Sequence, residues 1–168
     1  MARRGRLVGF YRKVTIPDDE VAWFAPGPQA GQSQRVPLFQ HGPLPFSIAI
    51  CADIGNPAVF AQGSRQGARV IFEVAAPGLY GQQETRNWQS GYRWWEGECQ
   101  KYLSRYAREY GVWVMVATQA GRTRDEDFPG GGYVFAAGGE RVFATADGSP
   151  GVVFLEADLE TGAILEIL

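Results

Sequence analysis

Apolar and small residues alternate through Phe46, Ser47, Ile48, Ala49 and Ile50, the pattern of a strand buried inside a sheet. Gly55 and Pro57 end the run. Proline brings a fixed φ suited to the first turn of a helix, so a helix is predicted over Ala58 to Gln66, with Gly67 capping its C-terminus. Arg69-Val70-Ile71-Phe72-Glu73-Val74 is a second apolar strand. Strand, helix and strand in so short a span form a βαβ unit, which predicts parallel pairing and a right-handed crossover. From Tyr92 to Tyr110 the residues Tyr92, Trp95, Cys99, Leu103, Tyr106 and Tyr110 recur every three or four positions and mark one face of a helix. Gly111 ends it, and Val112 to Thr118 is a third apolar strand. Tyr133 to Ala137 and Arg141 to Ala146 flank Gly138-Gly139, a hairpin signal, and Gly151 to Asp158 forms a last strand.

The pattern is more broken ahead of the central strand. Leu7, Val8, Phe10 and Tyr11 are β-formers, so Gly9 to Lys13 reads as the end of a strand. Pro17-Asp18-Asp19-Glu20, Trp23-Phe24 and Ala25-Pro26-Gly27-Pro28 read as an ordered surface loop. Gly31 to Pro37 is polar and turn-rich, Val36 to Phe39 fits a short strand, and His41-Gly42-Pro43-Leu44-Pro45 turns into the central strand, so a hairpin leads up to Cys51. Pro77 to Gly91 and Gly121 to Gly132 read as loops, and the size of the first marks it as functional or mobile. Gly130-Gly131-Gly132 is not a phosphate loop, since no lysine and no helix follow at the needed spacing.

Composition narrows the function. At 168 residues and 45% hydrophobic content, the chain suffices for one domain that buries roughly 70% of the surface of its unfolded form. A net charge of −2, from 16 basic and 18 acidic residues, supplies no general field for nucleic acid or an anionic membrane. The apolar run Leu7 to Phe10 is too short for a signal-peptide core, and no stretch approaches the ~20 apolar residues of a membrane span, so the expected location is the cytoplasm. Cys51 and Cys99 make no disulfide framework, and no spacing suggests zinc.

Candidate chemistry centres on Cys51. A side chain at a strand-to-helix corner lies at the C-terminal rim of the sheet, where open α/β sheets place ligands, and near a helix N-terminus that favours a thiolate. A cysteine after an apolar strand is also commonly a small buried core residue. As a nucleophile, it attacks an amide or nitrile carbon to give a thioester or thioimidate that water cleaves. The charge that develops needs fixed donors, one of which is worth ~3 to 4 kcal/mol, and Lys13 and the backbone N–H of Ala52 are the candidates. Lys13 is otherwise a solvated lysine at a strand end. Glu20 either accepts hydrogen bonds from a substrate amide or holds Lys13 in place; its plain alternative is an exposed loop acid. Asp53 is assigned a structural role, capping the following helix, and Cys99 a packing role. A Cys-His peptidase or acyltransferase would need His41, which lies in a Gly/Pro turn on the neighbouring strand.

Several stretches together resemble the nitrilase superfamily of carbon-nitrogen hydrolases. Tyr11-Arg12-Lys13 is similar to its lysine motif, and Glu20 followed by Phe24-Ala25-Pro26-Gly27 to its loop glutamate before a Pro-Gly turn. Ile50-Cys51-Ala52-Asp53 with Pro57 resembles the nucleophile motif, and Gly67-Ala68-Arg69-Val70-Ile71 the next strand. The tryptophan-bearing helix, Val112 to Thr118 running into Gln119-Ala120-Gly121, and the hairpin at Gly138 are similar to the family's C-terminal half. The resemblance covers nearly the whole chain, and the ordered Lys, Glu, Cys combination is its specific part. It implies an α/β fold, a four-layer αββα sandwich in which two domains pack through their helices. The implied activity is thiol-dependent hydrolysis of a non-peptide C–N bond in an amide, nitrile or carbamoyl compound, with catalytic residues Cys51, Lys13 and Glu20 and without cofactor or metal.

Members of that superfamily carry another glutamate, the general base, upstream of the lysine motif. No acidic residue precedes Tyr11 here. Residues 1–168 therefore read as a single partial domain, with the N-terminal strands and helices missing. A missing base costs 10² to 10⁴ in rate, so the chain alone is expected to show no measurable amide or nitrile hydrolysis. The implied partners are a small-molecule amide or nitrile, further copies of the chain in a homo-oligomer, and a separately encoded N-terminal half, with neither nucleic acid nor membrane among them. The non-enzymatic alternative is an inactive remnant that binds or oligomerises through the aromatic helix Tyr92 to Tyr110.

Overall fold

Strand pairing at the N-terminus stops at Leu7. In the computed structural model, which describes residues 2–3, 5–26, 36–79, 87–124 and 126–167, β1 (Ala2–Arg3) and β2 (Arg6–Leu7) form a short antiparallel pair. The strand end predicted over Gly9 to Lys13 is irregular chain instead. The backbone that follows is held by a side chain rather than a ladder: Val14 and Thr15 donate their N–H groups to Oδ1 of Asp53 at 3.1 and 2.8 Å. Pro17 to Phe24 is an ordered set of turns, in which Glu20 N–H donates to Pro17 O and the N–H groups of Trp23 and Phe24 donate to Glu20 O. The turns expected at Gly27-Pro28 and from Gly31 to Arg35 lie outside the described residues, as does the middle of the Pro77–Gly91 loop.

β3 (Phe39–His41) and β4 (Leu44–Ile50) form the expected hairpin around Gly42-Pro43. The first of these strands starts later than Val36, because the N–H of Val36 donates to Gln62 and its carbonyl accepts from Gln66, which ties it to a helix. A short 3-10 turn, Cys51–Gly55, separates β4 from α1 (Pro57–Arg65), whose first turn is capped by the Asn56 side chain accepting from Ala58 N–H. β5 (Val70–Ala75) runs parallel to β4 with Glu73 opposite Ala49. α2 (Trp88–Tyr110) begins ahead of Tyr92 because Asn87 caps it, accepting from Ser90 N–H at 2.9 Å; Gly111 closes it in the left-handed conformation, φ 63°. β6 (Trp113–Thr118) then lies parallel to β5.

Two expectations in the C-terminal third are corrected. The stretch Gly121 to Gly132 is not simply a loop: β7 (Ala120–Arg122) and β8 (Asp127–Pro129) pair antiparallel. The Arg122 guanidinium donates twice to Asp127, at 2.6 and 2.8 Å, fastening the hairpin next to its turn. β9 (Gly132–Phe135) and β10 (Arg141–Ala144) form the predicted Gly138-Gly139 hairpin. The single closing strand is a pair, β11 (Phe154–Ala157) and β12 (Ile164–Ile167). Their turn is organised by Asp158, whose carboxylate accepts from the N–H groups of Glu160 and Thr161.

The main sheet has the order β10-β9-β6-β5-β4-β3, with a parallel centre of β4, β5 and β6. Strand alternation divides its residues between two faces. Ala49, Ile71, Val114, Val116, Tyr133 and Phe135 share one core with Val59 and Phe60 of α1 and with Trp95, Cys99, Leu103 and Tyr106 of α2. Phe46, Val70, Trp113 and Val134 point the other way, where Leu155, Ala157, Leu159 and Ile164 of the β11–β12 unit pack against them. Both helices thus cover one face, and the opposite face is covered at one end. The result is a mixed α/β fold whose central strands deliver their C-terminal ends to one rim.

Candidate active site

Cys51 occupies that rim, directly after β4. Its φ is +49°, the one non-glycine among the described residues with a positive value. A cysteine there is held against its own preference, at a cost of roughly 1–3 kcal/mol, which the surrounding contacts must outweigh. The principal contact is Asp53, fully buried. Its carboxylate accepts from Val14 and Thr15 N–H through Oδ1, and from Ile50 N–H at 3.0 Å and Tyr11 Oη at 2.8 Å through Oδ2. Asp53 is structural, as expected, but Asn56 caps α1 while Asp53 ties the lysine motif to the cysteine corner. Burial and the neighbouring Asp53 push the Tyr11 hydroxyl far above its ordinary range, so it remains a donor.

This clamp sets Lys13 beside Glu20, Nζ to Oε2 at 3.0 Å, with side-chain exposures of 16% and 33%. The charge of Lys13 acts on Cys51 and favours the thiolate. Burial dominates nevertheless and pushes the thiol up; the Ala76 backbone N–H and Lys13 pull it down, and the Glu73 and Glu20 charges push it further up. The charges of Lys13 and Glu20 both act on Cys51, and Ala52 is next in the same turn. Burial thus favours the thiol form of Cys51 over the thiolate.

A third carboxyl lies beneath. Glu73 of β5 is fully buried, and neither of its oxygens has a hydrogen-bond partner. Burial, then the charge of Asp53, hold its carboxyl well above the ordinary range, while the Cys51 backbone amide and Lys13 oppose them. Its mark in the sequence is one acid at a core-facing position between Ile71 and Ala75. Cys99 is buried in the α2 core, its thiol pushed far up by burial. His41 pairs with Leu44 at the start of β4, whereas Cys51 follows its other end, roughly 20 Å away at ~3.3 Å per residue. The two cannot form a nucleophile–base pair.

Among the described residues, no group of three or more His, Cys, Asp and Glu side chains is arranged to hold a metal ion, and no helix is long and apolar enough to cross a membrane. A cavity of about 470 Å³ lies between β6, β9 and the 149–155 segment, with Met115, Val134 and Leu155 in its wall and without Cys51.

The model of the carbon-nitrogen hydrolase family matches residues 1–163. The chain belongs to that family. Comparison with curated protein sequences finds no match. Among solved structures, a cysteine-to-alanine mutant of the Nesterenkonia AN1 amidase, from the nitrilase superfamily, is 22% identical with a TM-score of 0.67, over 88% of this chain and 49% of that one. A glutamate-to-glutamine mutant of the Nesterenkonia sp. AN1 amidase, 23% identical with the same TM-score of 0.67 over 88% and 50% of the two chains, shows Michael addition of acrylamide at its active-site cysteine. A cysteine-to-alanine mutant in complex with butyramide is 22% identical, with a TM-score of 0.65 over 84% and 47%. The chain spans about half the length of these amidases, and at this identity the likeness establishes the fold.

Proposed function

We propose that this chain carries the cysteine, lysine and one glutamate of a thiol-dependent hydrolase acting on a non-peptide C–N bond, with a small amide as the favoured substrate class. The observation that supports this is the Asp53 carboxylate, which ties Val14 and Thr15, next to Lys13 of the Lys13–Glu20 ion pair, to Ile50 beside Cys51. In this reading the Cys51 sulfur, once deprotonated, attacks the amide carbon. The ammonium of Lys13 and the N–H of Ala52 hold the developing oxyanion, and Glu20 fixes the direction of Lys13. The nitrogen leaves with a proton, and water then cleaves the thioester to release the acid and restore the thiol. No bound metal or cofactor enters these steps. Two unpaired thiols suit a reducing compartment, the cytoplasm.

Covalent trapping tests this without requiring turnover. Fluoroacetamide is expected to add one acetamide moiety at Cys51, seen by intact mass and peptide mapping, and the adduct is lost in Cys51→Ser. A folded chain whose Cys51 reacts no faster than a free thiol would favour the other reading, a remnant that only binds or oligomerises.

A further inference from the structure

Glu73 stands out from the core it occupies. Every second residue of β5 faces the helices, and its neighbours on that face, Ile71 and Ala75, are apolar and buried. Glu73 is as buried as they are, yet neither of its oxygens is hydrogen-bonded. Buried polar groups normally find partners, and an orphaned carboxyl costs stability that an apolar residue would not. The groups acting on it belong to the site: Cys51 and Asp53 from the corner, and Lys13 from the clamped segment. Its own charge is felt by Tyr11, by Cys51 and, from α2, by Cys99; Glu20 reaches the same sulfur. The Asp53 carboxylate is already saturated by four donors, and Glu20 is paired with Lys13. Glu73 is thus, among the described carboxyls of this site, the buried one with neither oxygen hydrogen-bonded.

We propose that Glu73 exchanges a proton with Cys51, taking it from the thiol as the sulfur attacks and returning it to the departing nitrogen. The balance is complete within the site. The S–H bond breaks and a carboxyl O–H forms as the sulfur bonds to the amide carbon; as the C–N bond breaks, that proton passes to nitrogen, and the carboxylate then takes a proton from the water that cleaves the thioester and returns it to the departing sulfur. Burial suits the role, because a carboxyl whose affinity for protons is raised takes one up more readily than an exposed carboxylate does. The inference rests on Cys51 being the nucleophile.

Two ionisations that share a proton titrate as a pair. The rate of Cys51 alkylation by iodoacetamide, followed against pH by peptide mass spectrometry on the full chain, is expected to rise in two steps. In Glu73→Gln it rises in one, and in Glu73→Asp the two steps return; circular dichroism confirms that each variant is folded. A single step in the parent chain, or two unchanged steps in Glu73→Gln, would overturn the role of Glu73 while leaving Cys51 as nucleophile. A Cys51 no more reactive than a free thiol would overturn the nucleophile itself, and the inference with it.

Discussion

The hydroxyl of Tyr11 donates to Oδ2 of Asp53 at 2.8 Å, joining positions 42 apart in the chain. Together with the bonds from Val14, Thr15 and Ile50 to the same carboxylate, it fixes where the lysine motif lies against the cysteine corner. Asp53→Ala would leave buried donors without partners, each loss costing about 1–3 kcal/mol. The expected outcome is a destabilisation of about 3 kcal/mol by urea unfolding, with Cys51 alkylation slowed even where the chain stays folded. Tyr11→Phe removes one bond to a charged acceptor and should cost about 1.5 kcal/mol.

Lys13 pulls the Cys51 thiol toward ionisation, against burial. Lys13→Met is therefore expected to move the Cys51 alkylation curve to higher pH and to slow the reaction at neutral pH. Any hydrolytic turnover of a small amide should fall by roughly 10²-fold, the usual effect of losing one oxyanion donor. Ammonia release and iodoacetamide kinetics read the two effects separately.

Burial raises the Glu73 carboxyl from its ordinary value of 4.5 in the folded chain. Between that value and the raised one, the folded state binds more protons than the unfolded state. The contribution of Glu73 to stability is thus fully present below pH 4.5 and is lost as pH rises through the window. Glu73→Gln removes this dependence. Thermal melts should show Tm raised by ~3 °C at neutral pH, the shift that about 1 kcal/mol gives at this size, and little change in acid.

The two thiols should differ in access. Cys99 is fully buried within the α2 core while Cys51 is partly exposed. In the native chain, labelling is expected at Cys51 alone, and at both after denaturation. Equal labelling of the native chain would contradict the packing of α2.

Much of this architecture is legible in the residues. Periodicity finds the β4–α1–β5 unit, the α2 face and β6, since burial forces apolar residues to recur at the period of each element. What escapes it is set by single side chains acting at a distance. Gly9 to Lys13 looks like the end of a strand because Leu7, Val8, Phe10 and Tyr11 favour one, yet Asp53 captures the amides that follow. Val36 has a strand former's shape, yet Gln62 and Gln66 hold its backbone. Arg122 and Asp127 make a hairpin of a glycine-rich stretch. For the site, Cys51, Lys13 and Glu20 stand out by residue type and spacing. Glu73 hides inside an apolar run, and its relation to Cys51 depends on the parallel register of β4 and β5.

Position 51 is a place where glycine would fold more readily than the residue found there, because only the side chain makes φ +49° costly. A chain carrying Cys51→Gly should outlast its parent on heating and do no chemistry. The thiol has been retained at the one described non-glycine position where the backbone would be better off without any side chain at all.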